Sequence, residues 1–187
     1  MAELYLALLH HPVYDKEHKV VTTSITNIDI HDISRSAKTY GVKRFFVVNP
    51  VPTLRALAEK ILDHWRAGYG STYNATRKDA LEIVSLSQRL EDTLEAVRQE
   101  AGQPPQLIAT SARDGGARLS FAALRRRLEQ AGPPVLILLG TGWGLTEAVL
   151  DQADDFLEPI RGRAGYNHLS VRAAAAIILD RLLGAPH

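Results

Sequence analysis

The stretch that most narrows the fold is Val135-Leu136-Ile137-Leu138-Leu139-Gly140-Thr141-Gly142-Trp143-Gly144-Leu145. Its first five residues form an apolar run that reads as a buried strand. The run passes directly into three glycines within five residues, and then into the helix-like residues 146–152. Glycine accepts positive φ and lets a backbone come close to a ligand. The turn that follows a parallel strand is also where α/β proteins usually bind ligands. The same residues fit a tight strand-to-helix turn that binds nothing, so local sequence leaves both readings open. A P-loop is excluded because no Gly-Lys-Ser or Gly-Lys-Thr follows. A dinucleotide fingerprint is a poor match, because the spacing is Gly-x-Gly-x-Gly and lies three-quarters of the way along the chain.

Similar short runs recur. Leu4–Leu9 reads as a buried strand ending at His10-His11-Pro12, and residues 15–19 as a polar loop. Residues 28–40 carry Ile30, Ile33 and Ala37 at helical spacing, with Asp29 and Asp32 near the start and Gly41 as a stop. Arg44–Val48 reads as a strand closed by Asn49-Pro50. Residues 53–67 read as a helix with Thr53 as N-cap and Leu54, Leu57, Ala58, Ile61 and Trp65 on one face. Residues 68–74 read as a loop, 81–86 as a strand and 87–101 as an amphipathic helix. A strand at 107–110, a helix at 120–130, a short strand at 156–160 and an apolar helix at 170–183 complete the pattern. Strands alternating with helices indicate an α/β fold with a mostly parallel sheet flanked by helices. With no internal repeat and no convincing linker, residues 1–187 are expected to form one domain.

Composition removes several functions. No cysteine is present, which excludes disulfides, thiolate metal sites and a cysteine nucleophile together. No apolar run approaches the roughly 20 residues of a membrane span, and Met1-Ala2-Glu3-Leu4-Tyr5 does not open a basic leader. A cytoplasmic protein without membrane attachment is expected. The net charge of +1 gives no basic footprint across the chain as a whole. Arg125-Arg126-Arg127 reads as a solvated helix face. His10, His11, His18 and His31 with Asp29 and Asp32 match no standard zinc spacing, so no metal is expected.

Three segments, taken in order, resemble the three motifs of the SPOUT methyltransferases. Asn27 and Arg35, followed by Gly41, are similar to the first. Leu139-Gly140-Thr141-Gly142-Trp143-Gly144-Leu145 resembles the second. Pro159-Ile160 through Ser170, with the alanine-rich helix that follows, resembles the third. Gly70-Ser71-Thr72-Tyr73-Asn74 with Arg77, and Tyr166-Asn167-His168-Leu169-Ser170-Val171-Arg172, look like the bacterial SPOUT group sometimes fused to a tRNA guanine-N1 methyltransferase.

The resemblance implies an S-adenosylmethionine-dependent RNA methyltransferase acting on tRNA or rRNA, with ribose 2′-O favoured over base nitrogen. It also implies a deep trefoil knot in the C-terminal half, a bent cofactor inside it, a homodimer, and association with another tRNA methyltransferase. The cofactor residues it suggests are Thr110, Leu139, Gly140, Thr141, Gly142, Gly144, Pro159, Ile160, Gly162, Tyr166, Asn167, His168, Leu169 and Ser170. Arg35 is the first catalytic candidate, with Asn27 and Ser170 beside it. Arg35 would contact the target phosphate and help activate the hydroxyl, although an ordinary arginine stays protonated. The plain alternatives are a surface arginine, an Asn27 that only caps the helix, and a Trp143 that packs beneath its turn instead of stacking on a base. His168 stands where the family often has Asn. Rival readings are a catalytically silent RNA-binding or dimerisation module of the same fold, and another α/β nucleotide-binding enzyme.

Overall fold

The computed structural model describes residues 1–113 and 115–185. In chain order the first half holds β1 (Leu4–Leu9), β2 (Val13–Tyr14), β3 (Val20–Val21), α1 (Asn27–Thr39), β4 (Arg44–Val48), α2 (Pro52–Arg66), α3 (Tyr69–Tyr73), α4 (Ala75–Glu82) and β5 (Val84–Ser87). The second half holds α5 (Leu90–Ala101), β6 (Gln106–Ala109), α6 (Phe121–Glu129), β7 (Val135–Gly140), α7 (Glu147–Leu150), β8 (Asp155–Phe156) and α8 (Val171–Leu183). Among the described residues, six strands form one sheet in the order β5-β4-β1-β7-β6-β8, with every pairing parallel. β2 and β3 make a separate antiparallel hairpin around the polar residues 15–19.

Both faces of the sheet are covered, which is why its strands read as unbroken apolar runs instead of alternating ones. Leu4, Leu6 and Leu8 of β1, with Ile137 and Leu139 of β7, pack against α1, α2, α6 and α8. Tyr5, Ala7 and Leu9, with Leu136 and Leu138, pack against α5 and α7. All six β1 residues are buried, and β1 and β7 lie side by side from Leu4↔Val135 to Leu9↔Gly140.

Several expected boundaries move, each for an identifiable reason. α2 starts at Pro52, because proline's fixed φ suits a first helical turn that needs no donor from it. Thr53 is therefore inside the helix and caps nothing. Leu57 is exposed, and Leu62 takes its place in the core. Residues 68–74 are not a plain loop: α3 forms there because Gly70 packs on Trp65, where a Cβ would stand 2.6 Å from the indole. Asn74 then caps α4, its side chain accepting from Arg77 N at 2.9 Å. Leu81 ends up buried in that helix, and the strand begins only at Val84. α5 likewise starts late, at Leu90, with Asp92 Oδ2 accepting from Arg89 N at 2.9 Å.

The arginine run is no solvated face. Arg125 donates to Gly184 O at 2.8 Å, and Arg127 meets Asp155 Oδ2 at 2.7 Å, so two of the three arginines tie α6 to α8 and β8. Only Arg126 of the three is exposed.

Candidate functional site

Parallel strands deliver their C-terminal ends to one edge of the sheet, and the segments leaving β1, β7, β6 and β8 enclose a cleft of about 800 Å³ there. Its size falls in the range of roughly 300–1,000 Å³ typical of small-molecule sites. Leu139, Leu157, Ile160, Leu169 and Ile178 supply apolar lining, and a few polar groups stand among them.

The glycine turn is held from outside. Trp143 N donates to Tyr14 O at 2.8 Å, and Tyr14 N donates to Gly144 O at 2.9 Å. The β2–β3 hairpin therefore clamps the turn in place. Gly142 has φ +59°, and a Cβ there would stand 2.8 Å from Tyr14 O; Gly144 has φ +109° with open space around it. Trp143 is 59% exposed, so it does not pack beneath the turn.

Of the residues suggested for the cofactor, Thr110, Leu139, Gly140, Thr141, Gly142, Gly144, Pro159, Ile160, Asn167, His168, Leu169 and Ser170 all line the cleft. Gly162 and Tyr166 do not. Tyr166 is 72% exposed and lies edge-on to the His168 ring at 5.5 Å. Asn167 pins this loop to the segment after β6, with Nδ2 donating to Ala112 O at 2.7 Å.

The catalytic candidates separate. Asn27 is exposed at the first position of α1 and lines neither cavity; Thr26 is the cap, accepting from Asp29 N at 3.3 Å. Arg35 lies outside the cleft, in a neighbouring cavity of about 550 Å³ between α1 and α8 that also contains Asp32 and Tyr40. Ser170 reaches both cavities and caps α8, its Oγ accepting from Ala173 N at 3.4 Å.

Polar groups that the sequence reading did not assign to the site line the β1 side of the cleft. His10 is buried at the end of β1, with Nδ1 2.9 Å from Thr23 Oγ1. Burial pushes its pKa down to about 4, against a smaller opposing effect of Asp29. Asp29 is also buried; Thr26 Oγ1 donates to its Oδ2 at 2.5 Å, and Arg172 Nη1 lies 3.4 Å from its Oδ1. Arg172 Nε lies 3.6 Å from Asp32 Oδ2, so one guanidinium joins α8 to α1 at the rim shared by the two cavities. Glu158 caps α6, accepting from Phe121 N at 2.6 Å. The signal for His10 was its place directly after an apolar parallel strand, the position the glycine turn holds after β7.

The remaining histidines do not assemble. His11 bonds Thr22, His18 meets the Tyr14 ring and His31 lies edge-on to Trp65. Among the described residues, no three histidine or acidic side chains come together as a metal site would need. No helix among them is long and apolar enough to cross a membrane.

Comparison with known proteins fits this geometry. A family of SAM-dependent RNA methyltransferases matches residues 3–184. A tRNA (guanine-N(1)-)-methyltransferase of Oleidesulfovibrio alaskensis is 46% identical over 181 residues, which is 97% of this chain and 42% of that protein. The chain thus spans less than half the length of that relative. Among solved structures, a probable methyltransferase from Bordetella pertussis Tohama I has a TM-score of 0.64 at 19% identity, covering 97% of this chain and 94% of that one. The SpoU methyltransferase AviRb from Streptomyces viridochromogenes has a TM-score of 0.58 at 19% identity, covering 97% and 58%. At such identities the two structures speak for the fold alone. The chain belongs to a family of S-adenosylmethionine-dependent RNA methyltransferases and folds as the SPOUT methyltransferases do.

Proposed function

We propose that residues 1–187 act as one methyltransferase domain that methylates N1 of a guanine in tRNA, in the cytoplasm. The observation that carries this reading is the cleft at the strand ends, where the segments after β6, β7 and β8 meet the start of α8. Its mixed lining suits the cofactor: apolar side chains for the adenine and thioether, with polar groups few enough to orient it. Bound there, S-adenosylmethionine would supply an electrophilic methyl group for guanine N1. The protein's part is positioning, which can supply much of the rate. Leu139, the 140–144 turn and the 159–170 loop hold the cofactor, and Ser170 fixes the start of α8 beside it.

Guanine N1 replaces the ribose oxygen expected from Arg35. The names of the relatives support it, and Arg35 lines the neighbouring cavity instead of the cleft. Arg35 then acts on the incoming RNA backbone, where a permanent charge with several donors suits phosphate. The reading also includes a homodimer and a trefoil knot formed where the chain passes from β8 to α8, both supported by the SPOUT resemblance. Association with another tRNA methyltransferase follows the same resemblance.

The test is incubation with labelled S-adenosylmethionine and unmodified tRNA transcripts, followed by nucleoside mass spectrometry. 1-Methylguanosine is the expected product. A 2′-O-methylated nucleoside would restore the ribose reading, and no product from folded protein would favour a silent RNA-binding module. Sedimentation equilibrium checks the dimer.

A further inference from the structure

The cleft contains a side chain that neither the cofactor motifs nor the catalytic candidates use, and its protonation pattern follows from its neighbours. Thr141 Oγ1 donates to Leu9 O at 3.0 Å, which commits the Thr141 hydroxyl hydrogen. Thr23 Oγ1 lies 2.5 Å from Thr141 Oγ1, so the Thr23 hydroxyl is the donor of that pair. Thr23 Oγ1 then accepts from His10, and Nδ1, 2.9 Å away, carries the ring hydrogen. A neutral imidazole has one N–H, so Nε2 is left with a lone pair. That atom is buried and has no partner in the protein. The ring itself is 1% exposed and lines the cleft. A buried acceptor without a donor is costly, and such orphans in native proteins call for an explanation. Burial also keeps the ring neutral at physiological pH, so the acceptor persists and does not repel a sulfonium.

Position narrows the donor. The strand order β1-β7-β6-β8 places the suggested cofactor segments after β7, β6 and β8, whereas His10 follows β1. It therefore lies on the flank those segments leave open, beside Thr23 and Asp29. A methyl-accepting base must occupy such a flank with N1 turned toward the methyl group. N1 is then committed to the reaction, and the donor that guanine presents next to it is the 2-amino group. Adenine has only a C–H at that position.

We propose that His10 Nε2 accepts a hydrogen bond from the guanine 2-amino group, and so acts as a positioning and specificity residue for the target base. This rests on the reading that S-adenosylmethionine and a target guanine share this cleft. The three-link relay from Leu9 through Thr141 and Thr23 fixes the tautomer, and it ties the base-reading atom to the glycine turn expected to hold the cofactor.

The test uses nitrogen-15-labelled protein saturated with S-adenosylhomocysteine, titrated with guanosine 5′-monophosphate and then with inosine 5′-monophosphate, which lacks only the 2-amino group. The guanine nucleotide is expected to move the His10 Nε2 resonance and to bind about tenfold more tightly than the inosine nucleotide, the scale of one hydrogen bond to a buried acceptor. His10→Ala should bind the two nucleotides alike. Equal affinities in the unmodified protein, an unmoved Nε2, or a guanine preference that survives in His10→Ala would each overturn the assignment. If His10→Ala does not fold, the two nucleotides on unmodified protein decide alone. Backbone amides of residues 140–144 report the cofactor separately. If they respond to S-adenosylhomocysteine while Nε2 ignores the guanine nucleotide, this inference fails and the cofactor reading stands. If those amides are silent as well, both fall.

Discussion

Gly142 and Gly144 sit two positions apart in one turn, and different forces keep each of them glycine. At Gly142 a side chain meets Tyr14 O at 2.8 Å in addition to requiring φ +59°. At Gly144 the space is open and only φ +109° resists substitution. Gly144→Ala should therefore cost about 1–3 kcal/mol of backbone strain, and Gly142→Val should cost more because the hairpin clamp must also move. Thermal melts with and without S-adenosylhomocysteine check both; equal melting temperatures for the two variants would refute the distinction. The glycine pattern was legible in sequence, but the hairpin that presses on Gly142 was not, because Tyr14 meets the turn only in the folded chain.

His10 gives a pH prediction with a definite sign. Burial holds its folded-state pKa at about 4 against an ordinary 6.5, so the folded protein binds fewer protons than the unfolded chain between those values. Its contribution is complete above about pH 6.5 and is lost as pH falls toward 4, a change of roughly 3 kcal/mol. His31, also lowered chiefly by burial, acts in the same direction. Urea midpoints should fall from pH 7 to pH 5, and the fall should be smaller in His10→Asn. An equal fall in both proteins would remove His10 as its source.

At the scale of elements, the start of α8 matters most. Ser170 caps it, so Ser170→Ala should cost about 1 kcal/mol, readable as a lower melting temperature. Arg172 is the link from α8 to Asp29 and Asp32 on α1. Arg172→Ala leaves the buried Asp29 carboxylate with Thr26 as its remaining side-chain donor and should cost about 1 kcal/mol, because the guanidinium itself is partly exposed. It should also weaken S-adenosylhomocysteine binding, because the start of α8, which follows the 160–170 loop, loses its tie to α1. Calorimetric affinity within twofold of the unmodified protein would separate that loop from the site.

Helix and strand identity was legible wherever apolar spacing was long, as in α1, α8, β1 and β7. It failed between residues 68 and 86. There, glycine read as a breaker is in fact a packing surface for Trp65, and a short apolar run cannot by itself choose between helix and strand.

At the scale of the whole molecule, α8 completes one face of the sheet. Ile178, Leu179 and Leu182 are buried against the same core as β1 and β7. Losing each such side chain costs about 2–5 kcal/mol, and three together match a typical net stability of about 5–15 kcal/mol. A chain ending at Leu169 should therefore show no cooperative urea transition; a sharp one would mean that α8 is an appendage. The alternation of apolar runs with amphipathic helices determined the α/β class and the parallel sheet, because a strand buried on both faces has no polar face to display. The glycine-rich run after β7 likewise marked one end of the cleft, whereas the segments after β6 and β8 were suggested only by the SPOUT resemblance. Strand order was a tertiary matter. β1 and β7, some 130 residues apart in sequence, became neighbours only through pairing, since period-two patterns carry no information about which strands meet. That pairing sets His10 beside Thr141, and the packing of α1 on α8 puts Arg35 in a different cavity. The sequence by itself thus determined what kind of site this protein could build, and the folded sheet decided which side chains stand in it.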